Sequence, residues 1–247
     1  MKKIEERSEF KTMVQVGKIS CNLLHDLISP ITTLSLYSET IHDKKLRDAL
    51  LPLEKATNDI KEFIALIQDA VEKPNQYYEI NLFKTIEHAL DLGKHKARIS
   101  NVTIIFNYKV NKKLKIRCKK LEIYQVVMNL VGNSIDALKS CREKKIRKII
   151  IEVTRDTSGN LIISVKDNGP GIKKGLEKKI FNKSFTTKKD GMGIGLNTVK
   201  KIVEKSFEGK IYLISNTKNY TDLKSIGSKS GAKFVIKIPL KNIGARD

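Results

Sequence analysis

The chain has 247 residues, 40% of them hydrophobic. That is enough to bury a core in one large or two small domains, and it excludes global disorder. Its 48 Lys and Arg against 27 Asp and Glu give a formal charge of +21, but only eight of the basic residues are Arg and 6% of the chain is aromatic. Base stacking and bidentate base readout favour aromatics and Arg, so the composition argues against a nucleic-acid partner and for polyanionic ligands and acidic protein partners. Cys21, Cys118 and Cys141 are odd in number and show no CxxC spacing, as expected for reduced cytosolic thiols. No apolar run reaches the length of a membrane span, and Met1 to Arg7 is charged and lacks the apolar stretch of a signal peptide. A soluble, cytoplasmic protein is expected.

From about Ser8 to Val71 the apolar residues follow helical spacing. Val16, Leu23, Leu27, Ile31, Leu34 and Ile41 form one stripe, and Leu46, Leu50, Leu53, Ile60, Phe63, Ile64, Ile67 and Val71 a second. The polar stretch His42 to Lys45 separates them, which reads as an antiparallel helical hairpin over residues 1–72. One hairpin cannot bury both stripes. Two copies can, as a four-helix bundle, so a homodimer through the hairpin is expected. Within the first helix, His25-Asp26-Leu27-Ile28-Ser29-Pro30 sets an imidazole, a carboxylate and a hydroxyl beside a helix-kinking proline. His25 lies about 200° round the helix from Leu23 and Leu27, at ~3.6 residues per turn, and so points away from the stripe. A neutral imidazole is available as a nucleophile near pH 7, and an adjacent acid can orient it or take its proton. A lone surface histidine would look the same.

Residues 73–80 read as a linker, and residues 81–247 mix strands with helices. Strands are expected at Val102–Val110, Lys113–Cys118, Lys148–Thr154, Leu161–Asp167, Lys210–Ser215 and Ala232–Pro239, the clearest showing period-two alternation. Helices are expected at Asn81–Ala97, Leu121–Ser140 and Leu196–Ser206. One sheet layered with helices is the natural packing, which makes the chain α+β overall, with an α/β sandwich after the hairpin.

Three stretches of this half could hold a ligand. Asn129 and Asn133, four apart, stack on one helix face, where carboxamide oxygens suit a hard cation, although two surface asparagines would fit as well. Asp167-Asn168-Gly169-Pro170-Gly171-Ile172 ends a strand; the aspartate can accept a hydrogen bond from an exocyclic amine, or the stretch is a plain turn. Gly191-Met192-Gly193-Ile194-Gly195-Leu196 opens a helix, where backbone N–H groups can cradle phosphate or form a flexible loop. Its spacing is neither GxGxxG nor a P-loop, and no strand precedes it.

Together these stretches resemble the motifs of sensor histidine kinases, in that family's order and over nearly the whole chain. His25–Pro30 resembles the H-box, Asn129–Leu138 the N-box, and Asp167–Ile172 and Gly191–Leu196 the two glycine boxes, with Phe181 and Phe185 at the F-box. The style is most similar to cytoplasmic nitrogen- and oxygen-sensor kinases. The resemblance implies a dimerisation and phosphotransfer hairpin followed by a GHKL (Bergerat-type) ATP-binding sandwich, with ATP and Mg²⁺ as cofactors. It implies that His25 accepts the γ-phosphoryl group, with Asp26 as its base or orienting partner. Ser29 stands where the family's Thr or Asn helps water attack the regulator's acyl phosphate, leaving a phosphatase activity open. Asn133 would bind Mg²⁺, with Asn129 the weaker candidate. Asp167 would hold adenine; Gly169 and Gly171 would shape the pocket, and Gly191, Gly193, Gly195 and Leu196 its lid. The ATPases of this fold carry Glu one turn before the magnesium Asn, whereas Asn129 cannot act as a base, which implies transfer of the phosphoryl group over hydrolysis. Ser134 departs from the commoner Ala. The expected partners are a second copy of the chain, a response-regulator receiver domain and a separate sensor protein, since no input domain is legible before the hairpin. The alternatives are a phosphotransfer adaptor charged by another kinase, and a basic nucleic-acid-binding protein.

Overall fold

The computed structural model describes Thr33 and residues 44–141, 146–183, 185–186, 193–215 and 231–245. His25, Asp26, Ser29 and the kink expected at Pro30 lie outside the described residues, as does Gly191. The chain divides into two compact units, Met1–Gln76 and Tyr77–Asp247.

In the first unit, helix α1 spans Lys44–Glu72. Pro52 lies inside it and removes the N–H bond to the Asp48 carbonyl, so the helix survives on its apolar pattern and not on propensity. Leu46, Leu53 and Ile60 recur every seven residues and are exposed, while Thr57 and Ile64, four residues after two of them, are buried. The helix therefore buries one edge of its stripe and presents the other.

The second unit begins with strand β1, Tyr78–Asn81, whose first three residues fall in the stretch expected as linker. It pairs antiparallel with β3, Lys115–Cys118, which buries Ile80 against Ile116; four residues with a single inward side chain give too short an alternation to read. Asn81 ends β1 and caps helix α2, Leu82–Ile99, its Oδ1 accepting the Lys84 N–H at 2.8 Å. Then follow β2 (Val102–Tyr108), α3 (Lys120–Lys139), β4 (Arg147–Arg155) and β5 (Leu161–Asp167). A short 3₁₀ turn, Lys179–Phe181, precedes helix α4, Gly195–Lys201, which runs into a π-helical turn, Ile202–Ser206. Strands β6 (Lys210–Ser215) and β7 (Ala232–Ile238) complete the sheet.

The sheet order is β2-β4-β5-β7-β6, with β2 parallel to β4 and the other pairs antiparallel. Register puts Ile149, Ile151 and Val153 of β4 beside Asp167, Val165 and Ile163 of β5, which in turn face Phe234 and Ile236 of β7. These side chains are buried on the inner face, and α2, α3 and α4 pack together over it. The outer face alternates to Lys148, Glu152, Thr154, Lys166, Lys233 and Lys237, all partly or fully accessible. No helix among the described residues is long and apolar enough to cross a membrane.

The first turn of α3 is tied to the end of the π-helical turn by Ser206, whose hydroxyl donates to Glu122 Oε1 at 2.7 Å. Burial pushes the Glu122 carboxyl up from its ordinary value, against smaller opposing effects of the Ser206 hydroxyl and Lys119. Burial, with Glu122 nearby, pushes the Cys118 thiol up to about 12, so it is inert as a nucleophile. A carboxyl whose folded pKa is raised adds stability below its unfolded pKa and loses it as pH rises through the folded one. Glu122→Gln is therefore expected to raise the melting temperature at about pH 7.5, with the difference from the parent chain closing by about pH 4.

Candidate functional site

Asp167 is the last residue of β5 and extends the inward alternation of Leu161, Ile163 and Val165 by one step. Its carboxylate enters the helix layer and is 3% exposed. A carboxylate so placed needs hydrogen-bond donors. The Gly169 N–H donates to Oδ1 at 2.8 Å, the Ala232 N–H to the same oxygen at 3.2 Å, and the Ser134 hydroxyl of α3 to Oδ2 at 3.2 Å. The next residue pins the loop to the start of β4. Asn168 Oδ1 accepts the Lys148 N–H at 2.8 Å and its Nδ2 donates to the Ile146 carbonyl at 2.9 Å.

Gly231 brings β7 onto this loop. Its φ is +141°, and a methyl group there would sit 2.1 Å from the Asp167 carbonyl oxygen, so only glycine fits. Gly171 faces Gly231 in turn, a methyl there lying 3.1 Å from the Gly231 carbonyl oxygen. Gly169 is buried against Ala137 and Leu138 of α3.

Helix α3 supplies the opposite wall. Asn129 and Asn133 are half-buried and one turn apart. Asn129 Nδ2 donates to the Gln125 carbonyl at 2.8 Å, while its Oδ1 would meet a Gly195 methyl at 2.7 Å. One side chain of α3 thus seats the first residue of α4. Gly193 lies just ahead of that helix with φ +64°, and Leu196 is half-buried within it. The structure therefore brings Asn129, Asp167, Gly169, Gly171 and Gly195 around the junction of α3, α4 and the carboxyl end of β5, with Asn133 on the same face of α3 as Asn129. Among the described residues no group of three or more His, Cys, Asp or Glu could hold a metal ion. Neutral carboxamide oxygens are the hard donors at hand here.

The two phenylalanines occupy different surroundings. Phe181 is buried, its ring edge-on to Phe234 at 6.2 Å and its carbonyl accepting from Asn197 Nδ2 at 3.0 Å. It anchors the chain ahead of α4. Phe185 is half-buried, its N–H donating to the Asn182 carbonyl at 3.3 Å.

Gly231 and the Ala232 N–H belong to the site without belonging to any motif, and Ser134, inside the N-box stretch, joins it without having been expected to take part. Ser134 carries a signal nonetheless: it is a small polar residue in the buried stripe of α3, among Val131, Ile135 and Leu138, and such a residue must find a partner.

The family model described as histidine kinase-, DNA gyrase B-, and HSP90-like ATPase matches residues 118–242. The signal transduction histidine-protein kinase AtoS of Escherichia coli is 25% identical over 189 residues, covering 73% of this chain and 30% of AtoS. The solved catalytic domain of histidine kinase ThkA, nucleotide-free, is 32% identical with a TM-score of 0.53, covering 67% of this chain and 98% of that domain. ThkA in complex with the response regulator protein TrrA shares the fold at 24% identity and a TM-score of 0.50, over 98% of this chain and 66% of that one. The chain thus spans under a third of the curated relative.

Gly231→Ala is expected to cost at least ~2–3 kcal/mol, because a backbone carbonyl cannot yield as a side chain can. Gly132→Ala, in mid-α3 where a methyl meets nothing within 4 Å, is expected to gain up to about 1 kcal/mol. Urea midpoints of the two variants check both directions.

Proposed function

The chain belongs to the sensor histidine kinases, within the wider family of histidine kinase-, DNA gyrase B- and HSP90-like ATPases, and we propose that it phosphorylates its own His25 from ATP and passes the phosphoryl group to an aspartate of a response regulator. The observation that carries this reading is Asp167, a buried acceptor at the mouth of a glycine-lined loop. Its carboxylate suits the exocyclic amine of adenine. Gly169 and Gly171 would let the backbone approach the nucleotide, and Gly191, Gly193, Gly195 and Leu196 would close over it. Asn133 would hold Mg²⁺, because the Asn129 oxygen faces Gly195. When bound, Mg²⁺ supplies charge neutralisation to the triphosphate.

In the first step His25 Nε2 attacks the γ-phosphorus in line, a P–N bond forms, the bond to the bridging oxygen breaks and ADP leaves. Asp26 takes or orients the imidazole proton. The transition state is loose, so positioning supplies most of the catalysis. In the second step a regulator carboxylate displaces the imidazole. Complex formation between the relative ThkA and a response regulator supports that partner class. The exposed heptad edge of α1, with Leu46, Leu53 and Ile60, supports a homodimer built as a four-helix bundle. Lys73 to Gln76 would serve as the joint between units, and Ser29 would aid removal of phosphate from the regulator. The signal would come from a separate sensor protein or a further segment.

The rival is an adaptor charged by another kinase. Such a protein has no use for a buried aspartate ringed by glycines. Incubation with γ-labelled ATP and Mg²⁺ decides between them. Label stable to base and labile to acid is expected on the parent chain, absent from His25→Gln, and absent from Asn133→Ala with the dimer intact. A parent chain that takes no label, yet accepts phosphate from another kinase, would establish the adaptor.

A further inference from the structure

Ser134 is 1% exposed and lies on the buried side of α3. A helical serine ordinarily turns its hydroxyl to water or to a carbonyl of its own preceding turn. This one donates to Asp167 Oδ2 across the core, from 33 residues away in sequence. Its single proton is thereby committed to the carboxylate. Backbone N–H groups of Gly169 and Ala232 hold the other oxygen. These donors come from three separate elements and grip both oxygens of the carboxylate. Donors on Oδ1 do not by themselves set the plane of the carboxylate; the Ser134 hydroxyl restrains it from the Oδ2 side.

We propose that Ser134 is a positioning residue for adenine recognition: it holds Asp167 Oδ2 in the orientation that accepts the exocyclic amine, without itself needing to touch the nucleotide. This rests on the reading of Asp167 as the adenine acceptor. An alanine here leaves Oδ2 without that donor, and a buried acceptor that has lost a donor turns toward whatever donor remains. Amine-bearing purines then lose affinity, and purines without the amine do not.

The test compares ATP with purine riboside triphosphate, which lacks the amine. Binding of each to the full chain is measured with Mg²⁺ by calorimetry, in a His25→Gln background that prevents turnover, with and without Ser134→Ala. The parent background is expected to favour ATP, and Ser134→Ala to shrink that preference about five- to tenfold, the size of one ordinary net hydrogen bond, while purine riboside triphosphate binds as before. A Ser134→Ala chain that no longer folds, or that weakens both nucleotides alike, makes the hydroxyl merely structural and overturns the proposal. An unchanged preference overturns it too. If the parent background binds the two nucleotides equally, adenine is not read by Asp167 and the underlying assignment fails along with it.

Discussion

The buried carboxylate of Asp167 is the constraint on which the rest of the ATP-binding unit depends. Strand alternation alone would place an apolar residue at this position, because Leu161, Ile163 and Val165 precede it on the same face. An aspartate there brings a desolvation cost that can be offset only by donors in fixed places. Those donors come from the following loop, from the start of β7 and from α3. The bonds that help make the carboxylate tolerable therefore also join the sheet to the helix layer. On the proposed reading, fold and recognition chemistry draw on shared contacts, so the site cannot drift without the core drifting too.

The glycines act in that frame by allowing two backbones to meet. Gly231 lets β7 arrive against the Asp167 carbonyl, and that approach is what brings the Ala232 N–H within reach of the carboxylate. Any side chain at position 231 would hold β7 away and remove the Ala232 donor. The role of Gly231 is thus felt two bonds further on, at an acceptor it does not itself contact by hydrogen bond. Asn168 works in a similar way, holding the loop to β4 through two backbone groups so that Gly169 is presented to Asp167 from a fixed position.

What the sequence reveals here follows the range of the interactions involved. Alternation in β4, β5 and β7 and the apolar stripes of α2 and α3 repeat within a few residues, and both the strands and the motif residues at their ends are legible. Strand β1 is not, since Tyr78–Asn81 has one inward residue and draws its stability from β3, more than thirty positions later. Ser134 follows the same rule. Beside Asn133 it reads as a harmless exchange for alanine, and its partner appears only when α3 folds across β5. Phe181, legible as part of the F-box, shows its ring partner Phe234 only in the folded chain.

Asn129 bears on how the two halves of the proposed reaction divide. A residue one turn ahead of a metal-binding asparagine could serve as base for an attacking water, but a carboxamide takes no proton. Here its amide donates to the Gln125 carbonyl and its oxygen lies against Gly195. The side chain is spent on seating α4, and a longer acid in its place would have to displace that helix before it could reach water. On the proposed reading the pocket then presents a γ-phosphoryl group with no internal nucleophile to receive it. On that reading the nucleophile must be brought by another part of the molecule, and His25 is the group proposed for it. Separating nucleotide from acceptor in this way would make transfer conditional on bringing the two together, which is the property a signalling kinase requires.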